Sequence, residues 1–186
     1  MGKRFFTADW HLFHKKVIEY CNRDAKNIGE MHKKLITNLN DRVGEDDELW
    51  VVGDIAMLGP QHMERIEKVL SQINGSKHLV AGNHDRWRIQ TYRNAGFTTV
   101  HSSMWFDYGE HTFYMMHDPA EYSVIENNPK AVMLCGHIHG LFKHLLPAKR
   151  IINVGVDVWD LKPVNFDEIT NLLIEFGTFK EKEVDG

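Results

Sequence analysis

Short apolar runs alternate along this chain with longer stretches in which apolar residues return every three or four positions. The short runs fall at residues 4–8, 48–52, 77–81, 97–100, 104–108, 112–116, 131–135 and 151–154. Runs of this length, bounded by polar residues and glycines, predict buried strands. Between the first three the spacing is helical. Met31, Leu35, Ile36, Leu39 and Val43 make one apolar face, and Met63, Ile66, Val69, Leu70 and Ile73 make another. Gly59-Pro60 suits the start of that second helix and Asn74-Gly75 its end. A further helix is predicted at residues 86–95. Another runs through Phe166, Ile169, Leu172, Leu173 and Phe176, with Asn165 and Glu168 as a capping box and Gly177 as the stop.

Strand–helix–strand repetition with crossovers of this length predicts parallel pairing in the first half. Residues 97–116 instead read as strands joined by short polar turns such as Tyr108-Gly109-Glu110, which predicts antiparallel pairing there. The polar tail, 180–186, is expected to fray. With no repeat and no linker, residues 1–186 read as one mixed α/β domain, and 186 residues suffice for a real core.

Composition narrows the partners. A net charge of −4 gives no broad footprint for a phosphate backbone, so duplex nucleic acid is not indicated as the main partner. Cys21 and Cys135 read as reduced thiols rather than a disulfide framework. The N-terminal apolar stretch is too short for a signal peptide, and no segment approaches the roughly 20 apolar residues of a membrane span. A cytoplasmic protein without a membrane partner is the expectation; oligomeric state is left open. Twelve histidines are unusual for this length, and their placement matters.

Five predicted strands each hand a polar side chain to the loop beyond their C-terminal end. Residues 5–8 lead into Asp9 and His11, and 49–52 into Gly53-Asp54. Residues 78–81 lead into Gly82-Asn83-His84-Asp85, 113–116 into His117, and 132–135 into Gly136-His137-Ile138-His139. Ligands bind at that edge in open α/β sheets. Singly, each motif is more often a turn than a ligand; all five in order, each at a strand end, are hard to ascribe to chance. Imidazole, carboxylate and amide oxygen suit borderline divalent ions such as Mn²⁺, Fe²⁺ or Zn²⁺. Two such ions with Asp9, Asp54 and a hydroxide would leave a net charge of about +1, suited to an anionic phosphoester. Ions roughly 3.5–4 Å apart could hold a phosphoryl oxygen and an activated hydroxide.

Asp9-x-His11, Gly53-Asp54, Gly82-Asn83-His84-Asp85, His117 and Gly136-His137-x-His139 together resemble the signature blocks of calcineurin-like metallophosphoesterases. Asn153-Val154-Gly155-Val156-Asp157-Val158-Trp159 resembles the closing strand of small, cap-less bacterial and phage-type members. The resemblance implies a two-sheet β-sandwich flanked by helices. It implies one metal held by Asp9, His11, Asp54 and His139, and a second by Asp54, Asn83, His117 and His137, with Asp54 bridging. Manganese is favoured, with iron, zinc, nickel or magnesium as alternatives. His84 would stand over the phosphate and stabilise or protonate the leaving oxygen, while a bridging hydroxide attacks phosphorus. Two departures stand out. Asp118-Pro119 follows His117 where the family often has glycine, and no arginine follows Gly53-Asp54 as in phosphoprotein phosphatases, which argues against a Ser/Thr protein phosphatase.

Around this set, His14 reads first as a helix starter and second as a rim residue. Asp85 reads as a helix cap before an orienter of His84, and Arg86 as a surface residue before a phosphate contact. Trp10, within the first ligand loop, is the leading candidate to stack on a base, ahead of Trp87, Trp159 and Tyr122. His32, His62, His78, His101, His111 and His144 receive no role. The lack of an arginine cluster favours phosphodiesters over monoesters in a small, nucleotide-like substrate. A non-catalytic scaffold on the same fold and a metal-dependent nuclease are the alternatives. The His-x-His-x-Asp-His run of a metallo-β-lactamase is absent.

Overall fold

The computed structural model describes residues 2–85 and 89–180. Among these residues ten strands form two five-stranded sheets. The first sheet contains β1 (Arg4–Thr7), β2 (Glu48–Val51), β3 (Ser76–Val80), β4 (Thr99–His101) and β10 (Val164–Asn165), in the order β10-β1-β2-β3-β4. The second contains β5 (Met104–Tyr108), β6 (His111–Met115), β7 (Ala131–Cys135), β8 (His144–Leu145) and β9 (Ile151–Asn153), in the order β5-β6-β7-β9-β8. Among the described residues six α-helices accompany them: α1 (Val17–Tyr20), α2 (Ile28–Asn40), α3 (Met63–Leu70), α4 (Ile89–Asn94), α5 (Ser123–Glu126) and α6 (Phe166–Glu175).

The period-2 pleat of β1 sends Phe5 and Phe6 into different cores. Phe5, Leu49, Val51 and Leu79 pack under α2 and α3 with Leu35, Leu39, Ile66 and Leu70. Phe6, Trp50 and Val80 face the second sheet, meeting Phe113, Met115, Val132, Leu134 and Ile152. Tyr114, Met133, Cys135 and Ile151 turn to the second sheet's outer face and cover Ile125 of α5. Helices therefore flank a sheet-on-sheet core, the architecture that the resemblance implies. No helix among the described residues is long and apolar enough to cross a membrane.

β1 to β4 pair in parallel, and β5 with β6 antiparallel. One expectation needs correcting: β4 does not begin an antiparallel meander. It lies parallel to β3, and residues 102–103 then carry the chain across to the second sheet. The capping box of α6 is present, with Asn165 accepting from Asp167 and the Glu168 side chain accepting from the Asn165 N–H. The helix expected at 86–95 is seen as α4, residues 86–88 lying outside the described residues, as do residues 181–186 of the tail. β8, β10 and α5 carry no sequence signal, because segments of two to four residues have no measurable period.

The C-terminal ends of β1, β2, β3, β6 and β7 share one rim, where the sheets are stitched together. Ala8 bridges Gly155 in parallel, and Val156 N–H donates to Ala8 O at 3.1 Å.

Candidate metal centre

The backbone at this rim is strained. Asp9, His11, Asp54, His137 and His139 all have positive φ, between 47° and 74°. Few non-glycine residues adopt that region, and it concentrates where surrounding structure holds a functional geometry. Two glycines permit the crowding. A Cβ on Gly53, at φ 89°, would lie 2.3 Å from His117 Nδ1, and one on Gly82 would lie 2.3 Å from Asp54 Oδ1. Neither loop could approach so closely with a side chain there.

Asp54 is the hub. Its Oδ2 lies 3.2 Å from His117 Nε2, 3.6 Å from His11 Nε2 and 3.9 Å from His84 Nε2, while its Oδ1 accepts the His84 backbone N–H. Ligand atoms of Asp54, His117 and His137 lie within 4.8 Å of one another, as do those of Asp9, His11 and His139. His11 joins the two groups, its Nε2 3.6 Å from Asp54 Oδ2 and its ring centroid 5.0 Å from that of His139. Asn83 Oδ1 stands 2.9 Å from His137 Nδ1. Asp9 accepts the His137 backbone N–H through both oxygens at 3.0 Å. The structure thus gathers all eight residues singled out at the strand ends.

Several imidazoles are aimed by a partner behind them. The carbonyl of Val52 can only accept, so His117 Nδ1 carries the proton that bridges the 2.7 Å between them. Its Nε2 is left facing Asp54 and Asp9. His139 Nδ1 likewise donates to Asp157 Oδ2 at 2.7 Å, and Arg23 clamps that carboxylate from the other side at 2.7 and 3.0 Å. Arg23 also donates to the carbonyls of Asp9 and Trp10, fixing the first ligand loop. Asn153 donates to the His139 carbonyl at 2.7 Å. Carboxylate–histidine pairs of this kind set the tautomer and orientation of metal ligands.

Burial and neighbouring charge shift the ionisation of these groups. Burial pushes Asp9 up to about 6 against the pull of His117 and His139. Burial drives His11 down to about 3 despite Asp54 nearby. For Asp54, burial would raise the value, but the hydrogen bond and charge of His117 outweigh it and hold the carboxyl at about 2. Burial opposes protonation of His117 too, yet Asp54 and Asp9 lift it to about 9. Asp157 and then Cys21 raise His139 to about 10.

Some expectations are corrected. Trp10 is fully buried and donates its indole N–H to Thr7 Oγ1, so it offers no stacking face. Asp85 is also fully buried, and the residues that it would cap as a helix start, 86–88, lie outside the described residues. Among the described residues its carboxylate accepts from the backbone of Asp54, Ile55 and Gly82 and from Tyr92 Oη, which fastens the second ligand loop to the third. Burial raises its pKa. His14 does both things considered for it: its backbone takes part in the turn before α1, and its ring lies 5.7 Å from that of His11. Trp159 donates to the Asn153 carbonyl, and Tyr122 packs on the outer core of the second sheet. Arg86 and Trp87 lie outside the described residues. Sequence reading missed Arg23 and the role of Asp157, whose partner lies 134 positions away.

The donor set fits divalent cations. Among the described residues His11 Nδ1 and Nε2 are buried without a hydrogen-bond partner, a cost that native proteins rarely leave uncompensated. Carboxylate oxygens stand beside them.

A family model described as a calcineurin-like phosphoesterase superfamily domain matches residues 11–163. An uncharacterized protein of Methanocaldococcus jannaschii, MJ1445, is 29% identical over 178 residues, covering 93% of this chain and 92% of its own. The gene 66 protein of Mycobacterium phage L5 is 26% identical over 207 residues, covering 93% and 95%. The crystal structure of AQ665, a protein of unknown function from Aquifex aeolicus, matches with a TM-score of 0.72 over 92% of this chain and 100% of that one. At 21% identity, it speaks for the fold.

Proposed function

This chain belongs to the calcineurin-like phosphoesterase superfamily, and we propose that it is a phosphodiesterase acting at a dinuclear metal centre. The family supports a metal-dependent phosphoester hydrolase in general; the carboxylate of Asp54, approached by imidazoles from three separate loops, carries the finer reading. Asp9, His11 and His139 would hold one ion and Asn83, His117 and His137 the other, with Asp54 serving both. When bound, divalent ions supply Lewis acidity and make hydroxide available near neutral pH. Manganese suits the mixed donors, with iron, zinc, nickel or magnesium as alternatives.

The chain's own residues do the remaining work. Val52 and Asp157 fix His117 and His139 so that each turns one ring nitrogen to the centre. Asp85 holds the Asp54 loop in register. His84 is the reacting side chain outside the ligand set. Its backbone is pinned to Asp54, while its imidazole is more than a third exposed, open to a substrate oxygen. It would donate the proton or hydrogen bond that the leaving alcohol needs.

The preference for diesters rests on charge. Arg23 is consumed by Asp157 and backbone carbonyls, Arg4 pairs with Glu48, Arg42 with Glu168, and Arg65 lies over Phe13. Arg93 and Arg150 donate to backbone carbonyls, so the described arginines all have partners elsewhere than a pair that could clamp a dianionic monoester. We read residues 1–186 as one such domain, taking a small phosphoester or nucleotide-like substrate. Parallel turnover of bis- and mono-4-nitrophenyl phosphate with Mn²⁺ tests the proposal. Faster turnover of the diester supports it. Faster turnover of the monoester removes the diester preference, and no turnover of either across several metals favours a non-catalytic scaffold.

A further inference from the structure

Most of the large hydrophobic side chains are buried, but Tyr20, Met57, Trp105, Val124 and Leu141 stand exposed. Single exposed apolar residues are ordinary on a protein surface. The placement of three of these is not: Met57 follows Asp54 by three positions, Leu141 follows His139 by two, and Tyr20 closes α1 beside the first ligand loop. Tyr20 is 70% exposed.

Two contacts locate its ring at the wall of the centre. Its centroid lies 6.3 Å from that of His14, which in turn lies 5.7 Å from that of His11. The next residue, Cys21, has its sulfur within 4.8 Å of the ligand atoms of His139 and Asp157. Tyr20 is therefore flanked by neighbours of the two imidazoles that line one side of the centre.

The segment is also held in place. Val17 is buried, Cys21 N–H donates to Val17 O at 3.0 Å, and Arg23 N–H donates to Ile18 O at 2.9 Å. The Arg23 guanidinium ties the segment's end to Asp157 and to the carbonyls of Asp9 and Trp10. An aromatic face presented on such a support binds without the entropy cost of ordering a loop. Lys15 and Lys16, exposed on the same segment, add positive charge to the rim.

We propose that Tyr20 is a specificity residue, the platform on which a planar ring of the substrate, such as a nucleobase, stacks while its phosphate lies at the metal centre. The inference rests on the phosphoesterase reading and names its substrate class: phosphoesters carrying an aromatic group. Trp10, the sequence candidate for this task, has no free face to offer.

The test compares two ligands on the Mn²⁺-loaded full chain by calorimetry, inorganic phosphate and thymidine 5′-monophosphate. Wild type should prefer the nucleotide by about 5- to 100-fold, the range of base–aromatic stacking. Tyr20→Ala should collapse that ratio towards one, and Tyr20→Phe should keep it. A wild type with no preference, or a Tyr20→Ala variant that retains it, overturns the assignment and leaves the phosphoesterase reading intact. Metal-loaded protein that binds neither ligand contradicts that reading, and the role of Tyr20 falls with it.

Discussion

His139 Nδ1 lies 2.7 Å from Asp157 Oδ2, and this hydrogen bond decides which ring nitrogen faces the centre. Burial would raise the Asp157 carboxyl, but His139 and Arg23 outweigh it and hold it at about 2. Asp157→Asn preserves the shape and removes the charge behind the imidazole. Metal affinity at the His139 side should fall about 10- to 100-fold, the usual cost of losing such a partner. Mn²⁺ titration by calorimetry would show one weakened site beside one retained; two unaltered sites would mean that Asp157 does not tune His139.

Asp85 does structural work beneath the same centre. Among the described residues three backbone N–H groups and a tyrosine hydroxyl converge on its buried carboxylate. Asp85→Ala leaves those donors unsatisfied and should destabilise the fold by about 3 kcal/mol or more. Urea denaturation of the metal-free protein measures this. A loss near zero would show that water replaces the carboxylate freely.

Metal uptake should release protons. In the metal-free protein His117 and His139 are raised to about 9 and about 10, so both carry a proton at neutral pH, and an ion must displace it. Affinity should then climb as pH rises towards those values and weaken in acid. The metal-free fold responds in the opposite sense. Its His–carboxylate pairs contribute fully below the unfolded histidine value and are lost as pH rises through about 9 to 10. Calorimetry in buffers of different ionisation enthalpy counts the protons released; none would contradict the assigned charge states.

His84→Ala should keep the metal content of the wild type and slow diester turnover by about 10²- to 10⁴-fold, the size of an acid–base contribution. Elemental analysis beside kinetics separates the two effects. A variant that loses metal would identify His84 as a ligand.

Sequence pattern and structure agree most closely where strands end. An apolar run followed by Asp, Asn or His is a local signal, and all eight residues so marked meet at one rim. What stayed hidden acts across the chain. Arg23 sits in a polar stretch without periodicity, and only the fold brings it to Asp157, 134 positions on. Trp10 misled because its neighbours in sequence are ligands, whereas its indole N–H is satisfied inward by Thr7. The sheet change after β4 was equally unreadable, since two serines carry it without a turn signature.

Mn²⁺ stoichiometry with electron paramagnetic resonance, run on wild type and on Asp54→Ala, bears most directly on the shared carboxylate. Two ions per chain with an exchange-coupled signal are expected for wild type, and loss of both the coupling and nearly all hydrolysis for the variant. One ion per chain in wild type, two uncoupled ions, or an Asp54→Ala protein that keeps its coupled pair would contradict the account.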